Sequence, residues 1–124
     1  MTIEALGYIN DKLESLDIPY EYGEWTSGLS FPYCVGEYSE TSSSGESGQE
    51  DGVFMITITD DKNLLKVEEI KEKIKTAFPP VGETAILESG SGIAVMYDTS
   101  LPIMTGEQGL YRVQVNLLVA EWRL

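Results

Sequence analysis

The chain contains no histidine. The side chain that most often serves as general base near neutral pH is therefore missing, and so is the commonest metal ligand. One cysteine, Cys34, leaves no internal disulfide, no Cys–His nucleophilic pair and no zinc site, and it fits a reducing compartment. No apolar run reaches the ~18 residues that a membrane-crossing helix needs. The opening MTIEALGYINDKLE lacks the basic start and apolar middle of a secretory signal, which predicts a protein that stays in the cytoplasm where it is made. Gly90-x-Gly92 has neither a third glycine nor a helix behind it, and no Gly-Lys-Ser/Thr phosphate loop occurs.

Positive charge is scarce as well, and unevenly so. Residues 1–61 hold 13 acids against one base, Lys12, whereas residues 62–124 hold 8 acids against 7 bases, and the total is −13. Such a surface repels a phosphate backbone instead of releasing its counterions, so tight binding to DNA or RNA is disfavoured. The plain reading is solubility through self-repulsion. A sharper one is a surface that faces DNA without holding it.

What is present reads as one α+β domain over residues 1–124. Its best-specified stretch is 52–80. There Phe54, Ile56 and Ile58 alternate with Met55, Thr57 and Thr59 as in a strand with one apolar face. Asp60, Asp61 and Asn63 offer capping oxygens to a following helix, and Val67, Ile70, Ile74, Ala77 and Phe78 form its stripe. Pro79 and Pro80 end it. Upstream, Thr2 caps a first helix over 3–16 with Ile3, Leu6, Ile9, Leu13 and Leu16 at helical spacing. Strands are expected over 20–25, 33–39, 53–59, 84–88, 93–97 and 110–122, with a loop over 100–109. The order α-β-β-β-α-β-β-β predicts two helices packed on a mainly antiparallel sheet. The polar run 40–52 reads as a long hairpin tip between strands 33–39 and 53–59.

Carboxylates are plentiful but lie mainly in loops and on solvated faces. Glu46 with Glu50 and Asp51 offers weak cation ligands, yet nothing has the spacing of a calcium loop. No catalytic role, cofactor or metal is assigned. The basic residues Lys66, Lys71, Lys73 and Lys75 concentrate on the second helix, where Glu68–Lys71 and Glu69–Lys73 are spaced to pair. A solvated face is the default for such a helix. The alternative is head-to-tail association, the basic helix of one copy against the acidic first half of the next. The candidate inter-subunit contacts are Glu46, Glu50, Asp51, Lys66, Lys71 and Lys75.

In its organisation the chain resembles the tail terminator (tail completion) family, minor tail proteins of long-tailed bacteriophages and prophages. The resemblance lies in several features. They are the N-terminal amphipathic helix, the aromatic strand YEYGEW, the Pro-started strand FPYCVG, the polar hairpin tip, the strand VFMITITD running into a Lys/Glu-rich helix, and the long last strand LYRVQVNLLVAEW. The 84–109 region is more elaborate than the family pattern and leaves open a head–tail joining protein. The resemblance implies a structural, non-enzymatic role in the virion tail. A homo-hexameric ring would cap the tail tube and meet the head connector, with DNA passing without tight binding. Edge strands adding to neighbouring sheets would help to build it. The remaining alternative is an acidic adaptor or inhibitor of a basic, nucleic-acid-binding partner.

Overall fold

A computed structural model describes residues 1–28, 30–40, 49–62 and 64–122. Its elements in chain order are α1 (Ile3–Glu14), β1 (Tyr20–Tyr22), β2 (Tyr33–Glu40), β3 (Gln49–Asp60), α2 (Leu64–Ala77), β4 (Glu83–Ile86), β5 (Gly92–Pro102) and β6 (Tyr111–Trp122). The strands form one six-stranded sheet in the order β1-β2-β3-β6-β5-β4. Two helices on one sheet make the fold α+β, as expected. The sheet is mixed, because β1 runs parallel to β2 while the other neighbours are antiparallel.

The centre of the sheet is built by parity. Phe54, Ile56 and Ile58 of β3 stand opposite Leu117, Val115 and Val113 of β6, and all six are buried. They meet Val67, Ile70 and Ile74 of α2, with Phe78 closing the end of that helix. Helix α1 adds Ala5, Ile9 and Leu13, one residue per turn along a single line. Ile3, expected in the same stripe, is 88% exposed, because it falls on the far side of the helix from that line. The helix ends at Glu14 instead of 16. Asp17 takes a left-handed conformation with φ 58°, which no helix continues through.

Four other boundaries differ from expectation. Strand β1 stops at Tyr22, because Gly23 turns with φ 86° and the chain loops back so that β2 enters beside β1 in the same direction. The Glu21 carboxylate pins that loop by accepting from the Thr26 hydroxyl at 2.7 Å and from the backbone N–H groups of Thr26 and Ser27. Strand β4 spans Glu83–Ile86 instead of 84–88, since Leu87 enters a turn in which its N–H donates to the Ser91 carbonyl. Strand β5 runs on to Pro102, past the expected end at 97 and into the loop expected from 100. A bulge between Tyr97 and Thr99 absorbs Asp98 and keeps Leu101 and Pro102 in register with Gln114 and Val113.

The last difference concerns the hairpin tip. Gln49, Glu50, Asp51 and Gly52 belong to β3, paired with Trp122, Glu121, Ala120 and Val119, and Gly52 also faces Glu40 of β2. The rest of the expected tip, 41–48, lies outside the described residues, as does Asn63. Of the expected capping carboxylates, Asp60 ends β3, is buried and accepts from the Lys62 N–H at 3.3 Å, while Asp61 is exposed.

Candidate functional site

The helices cover one face of the sheet, and the residues of opposite parity make the other. Across it run Ser39, Val53, Leu118 and Met96 in one row, then Asp51, Ala120 and Ala94 in the next. Gln49, Trp122, Gly92 and Ile86 complete it at the end of the sheet. Among them Leu118, Trp122 and Ile86 are 39%, 42% and 78% exposed, large apolar side chains in contact with water. A shallow depression of about 260 Å³ opens here, lined by Asp51, Val53, Met96, Leu118 and Ala120.

The opposite end of this open face is more polar and partly covered. Arg112 donates through Nε to the Thr59 hydroxyl at 3.0 Å, and Gln114, Asn116 and Thr99 form a hydrogen-bonded line across β6 and β5. Trp25, from the loop after β1, stacks on Tyr33 with ring centroids 5.3 Å apart, and Phe31 lies 5.5 Å from the same ring. Trp25 was expected to end a strand over 20–25. The loop's aromatics cover the corner of the sheet, which leaves the Val53–Leu118–Met96 end bare.

The expected contact residues separate onto opposite layers. Asp51 is exposed on the open face, its carboxylate accepting from Gln49 at 2.7 Å. Glu50, one residue earlier in the alternation, turns to the helix side within 4.0 Å of the Met1 amino group, which Glu40 also holds. Glu46 lies outside the described residues. Lys66, Lys71 and Lys75 sit on α2, on the covered side. Lys71 is paired with Glu68 at 2.5 Å, which raises its pKa, and Lys75 rests 4.9 Å from the centre of the Tyr97 ring. Lys66 is exposed near the start of the helix, beside Leu64 and Leu65, which are 47% and 66% exposed. Asp51 and the α2 lysines thus lie on opposite sides of the sheet.

Two buried groups are packed into the fold. Glu121, 2% exposed, accepts from the Thr2 hydroxyl at 2.5 Å and the Thr2 N–H at 3.3 Å, while the same hydroxyl accepts from Ala5 N–H to cap α1. Sequence reasoning passed over Glu121, although its odd number in β6 puts it on the same side as Val113 and Val115. Cys34 is fully buried, and burial pushes its thiol up to about 12, the behaviour of a packed side chain and not of a nucleophile. Among the described residues no group of three or more Asp, Glu or Cys is placed to hold a metal. No helix among the described residues is long and apolar enough to cross a membrane.

A second hollow, an open trough of about 600 Å³ between the helices, is lined by Lys12, Leu16, Glu72, Lys73 and Ala77. Lys12 is already engaged there, 3.0 Å from Glu83 and over the Phe78 ring.

Neither a protein-family model nor a curated protein matches the chain. A solved structure 15% identical in sequence is similar to it over 98% of this chain and 92% of the other, with a TM-score of 0.67. The likeness extends across the whole domain and concerns the fold alone.

Proposed function

We propose that the chain is a structural protein of a phage or prophage tail. In this reading it is a tail terminator whose copies close into a hexameric ring on the end of the tail tube and present a face to the head connector. The observation that carries the reading is the charge asymmetry. Glu4, Asp11 and Glu14 lie on α1, Glu21 on β1, Glu37 and Glu40 on β2 and Glu50, Asp51 and Asp60 on β3, while Lys66, Lys71, Lys73 and Lys75 gather on α2. A ring whose lumen is lined by the acidic half lets DNA pass without counterion release and therefore without tight binding. A basic helix on one copy and acidic strands on the next give a heterologous contact, the kind that closes rings.

The sheet edges are poorly suited to that contact. Beyond β1, the outer edge of β2 carries Glu37 and Glu40, and beyond β4 the outer edge of β5 carries Asp98, a bulge and Pro102. Charges, bulges and proline are the features that discourage strand addition, and joining these two edges sets acid against acid. This favours the faces as the place where copies meet.

Electron microscopy of polymerising tail tubes tests the reading. Added chain is expected to stop growth and to appear as an extra density on one tube end. Tubes that grow to the same lengths with bare ends, together with competition by the chain for a basic nucleic-acid-binding protein, favour the acidic adaptor instead.

A further inference from the structure

The geometry points to a defined contact between copies: the Leu64–Leu65 pair at the start of α2 of one copy seats in the open-face depression of the next. This deepens the ring reading above and rests on it. Leu64 and Leu65 are large apolar side chains on the solvent side of the helix layer, and Lys62 and Lys66, both exposed, flank them in sequence. The depression bounded by Val53, Met96, Leu118 and Ala120 is apolar in its floor, and the exposed Asp51 stands on its rim. At about 260 Å³ it falls below the roughly 300–1,000 Å³ of small-molecule sites and is closer to the scale of protein side chains.

Charge decides between the possible occupants. Two open faces pressed together about a two-fold axis bring both Asp51 carboxylates into one interface in a chain of net charge −13. The start of α2 instead brings an apolar knob between two lysines to an apolar hollow with an acidic rim. Knob and hollow lie on opposite layers of the same domain, so each copy offers both halves and the contact repeats head to tail. It also gives a physical reason for exposed leucines at a helix start and for a bare apolar sheet face in one small, strongly charged domain.

Disulfide trapping tests the contact, because two cysteines join only when their Cα atoms come within about 7 Å. Leu65→Cys and Leu118→Cys chains are mixed and oxidised at low salt, while the buried Cys34 stays silent. The mixed 65–118 dimer is expected several-fold above its statistical share, and added salt should lower that excess. A statistical distribution, or a predominance of 118–118 dimers, overturns the contact. Met96→Cys replaces Leu118→Cys if that chain fails to fold. Failure of the ring reading looks different: efficient 65–118 trapping with the doubly substituted chain forming open polymers keeps the contact and rejects the ring. A hexameric unsubstituted chain with statistical trapping keeps the ring and rejects the contact.

Discussion

The ring of Tyr20 lies directly over Gly36. A Cβ at position 36 would stand 2.8 Å from Tyr20 Cε1 and 2.9 Å from Phe54 Cζ, so only glycine fits beneath the ring. The tyrosine hydroxyl donates to Asn10 Oδ1 of α1, and one side chain thereby ties the edge strand, the sheet and a helix together. Gly36→Ala should destabilise the domain by about 1–3 kcal/mol through overpacking, read as a lower urea midpoint. Tyr20→Phe keeps the ring and loses only the hydrogen bond, with a smaller loss of about 1 kcal/mol. An unchanged midpoint for Gly36→Ala would show that Tyr20 moves aside freely.

Thr2 and Glu121 are expected to act as a unit. Thr2→Ala removes a helix cap, typically worth about 0.5–2 kcal/mol, and also takes the hydroxyl donor from a buried carboxylate. Glu121→Ala removes that carboxylate. Urea denaturation of both single variants and the double variant should give a double loss smaller than the sum of the single ones, since each single change already breaks the shared bond. Strict additivity would mean that the two residues stabilise the fold independently.

Alkaline pH should weaken the fold by a stated route. Burial raises Cys34 to about 12 from an ordinary value of 9.0, and Tyr20 is raised in the same direction. Well below pH 9 both groups are protonated whether the chain is folded or not. Above it the unfolded chain loses the Cys34 proton while the folded chain retains it, so stability falls as pH rises from 9 towards 12. Cys34→Ala should flatten part of that decline, whatever it costs in packing. A thiol reagent at pH 8 should label Cys34 only after denaturation.

The two kinds of lysine on α2 should separate in assembly. Lys66 stands beside the exposed leucines at the start of α2, whereas Lys71 and Lys75 lie farther along the helix, against Glu68 and the Tyr97 ring. Lys66→Glu is therefore expected to lower self-association at low salt, measured by sedimentation, with a weaker effect from Lys71→Glu and Lys75→Glu together. The reverse ranking would locate the contact farther along the helix.

Much of the fold was legible because strong periodicity reports burial directly. The alternation of Phe54, Ile56 and Ile58, the stripe from Val67 to Phe78 and the parity of β6 all mark surfaces that pack. The misses share a physical cause: pairing reached where local chemistry points elsewhere. Gln49, Glu50 and Asp51 read as loop by composition, yet β6 extends far enough to hold them in the ladder. Asp98 and Pro102 hide a strand that continues through a bulge. The parallel entry of β2 beside β1 goes with Thr26 and Ser27 folding back onto Glu21, and hydrophobic patterning carries no trace of that contact. For the candidate site, the separation of charge was visible in the sequence. The bare face was not, since it takes the sheet order to place Val53, Leu118 and Met96 in one row.

Native mass measurement combined with negative-stain imaging, over a wide range of concentration, decides whether copies of the chain close head to tail. A six-membered ring with an open centre, favoured at low salt, is the expected result. A stable dimer related by a two-fold axis would contradict it, since such a dimer uses up one face symmetrically and leaves no head-to-tail contact to close a ring.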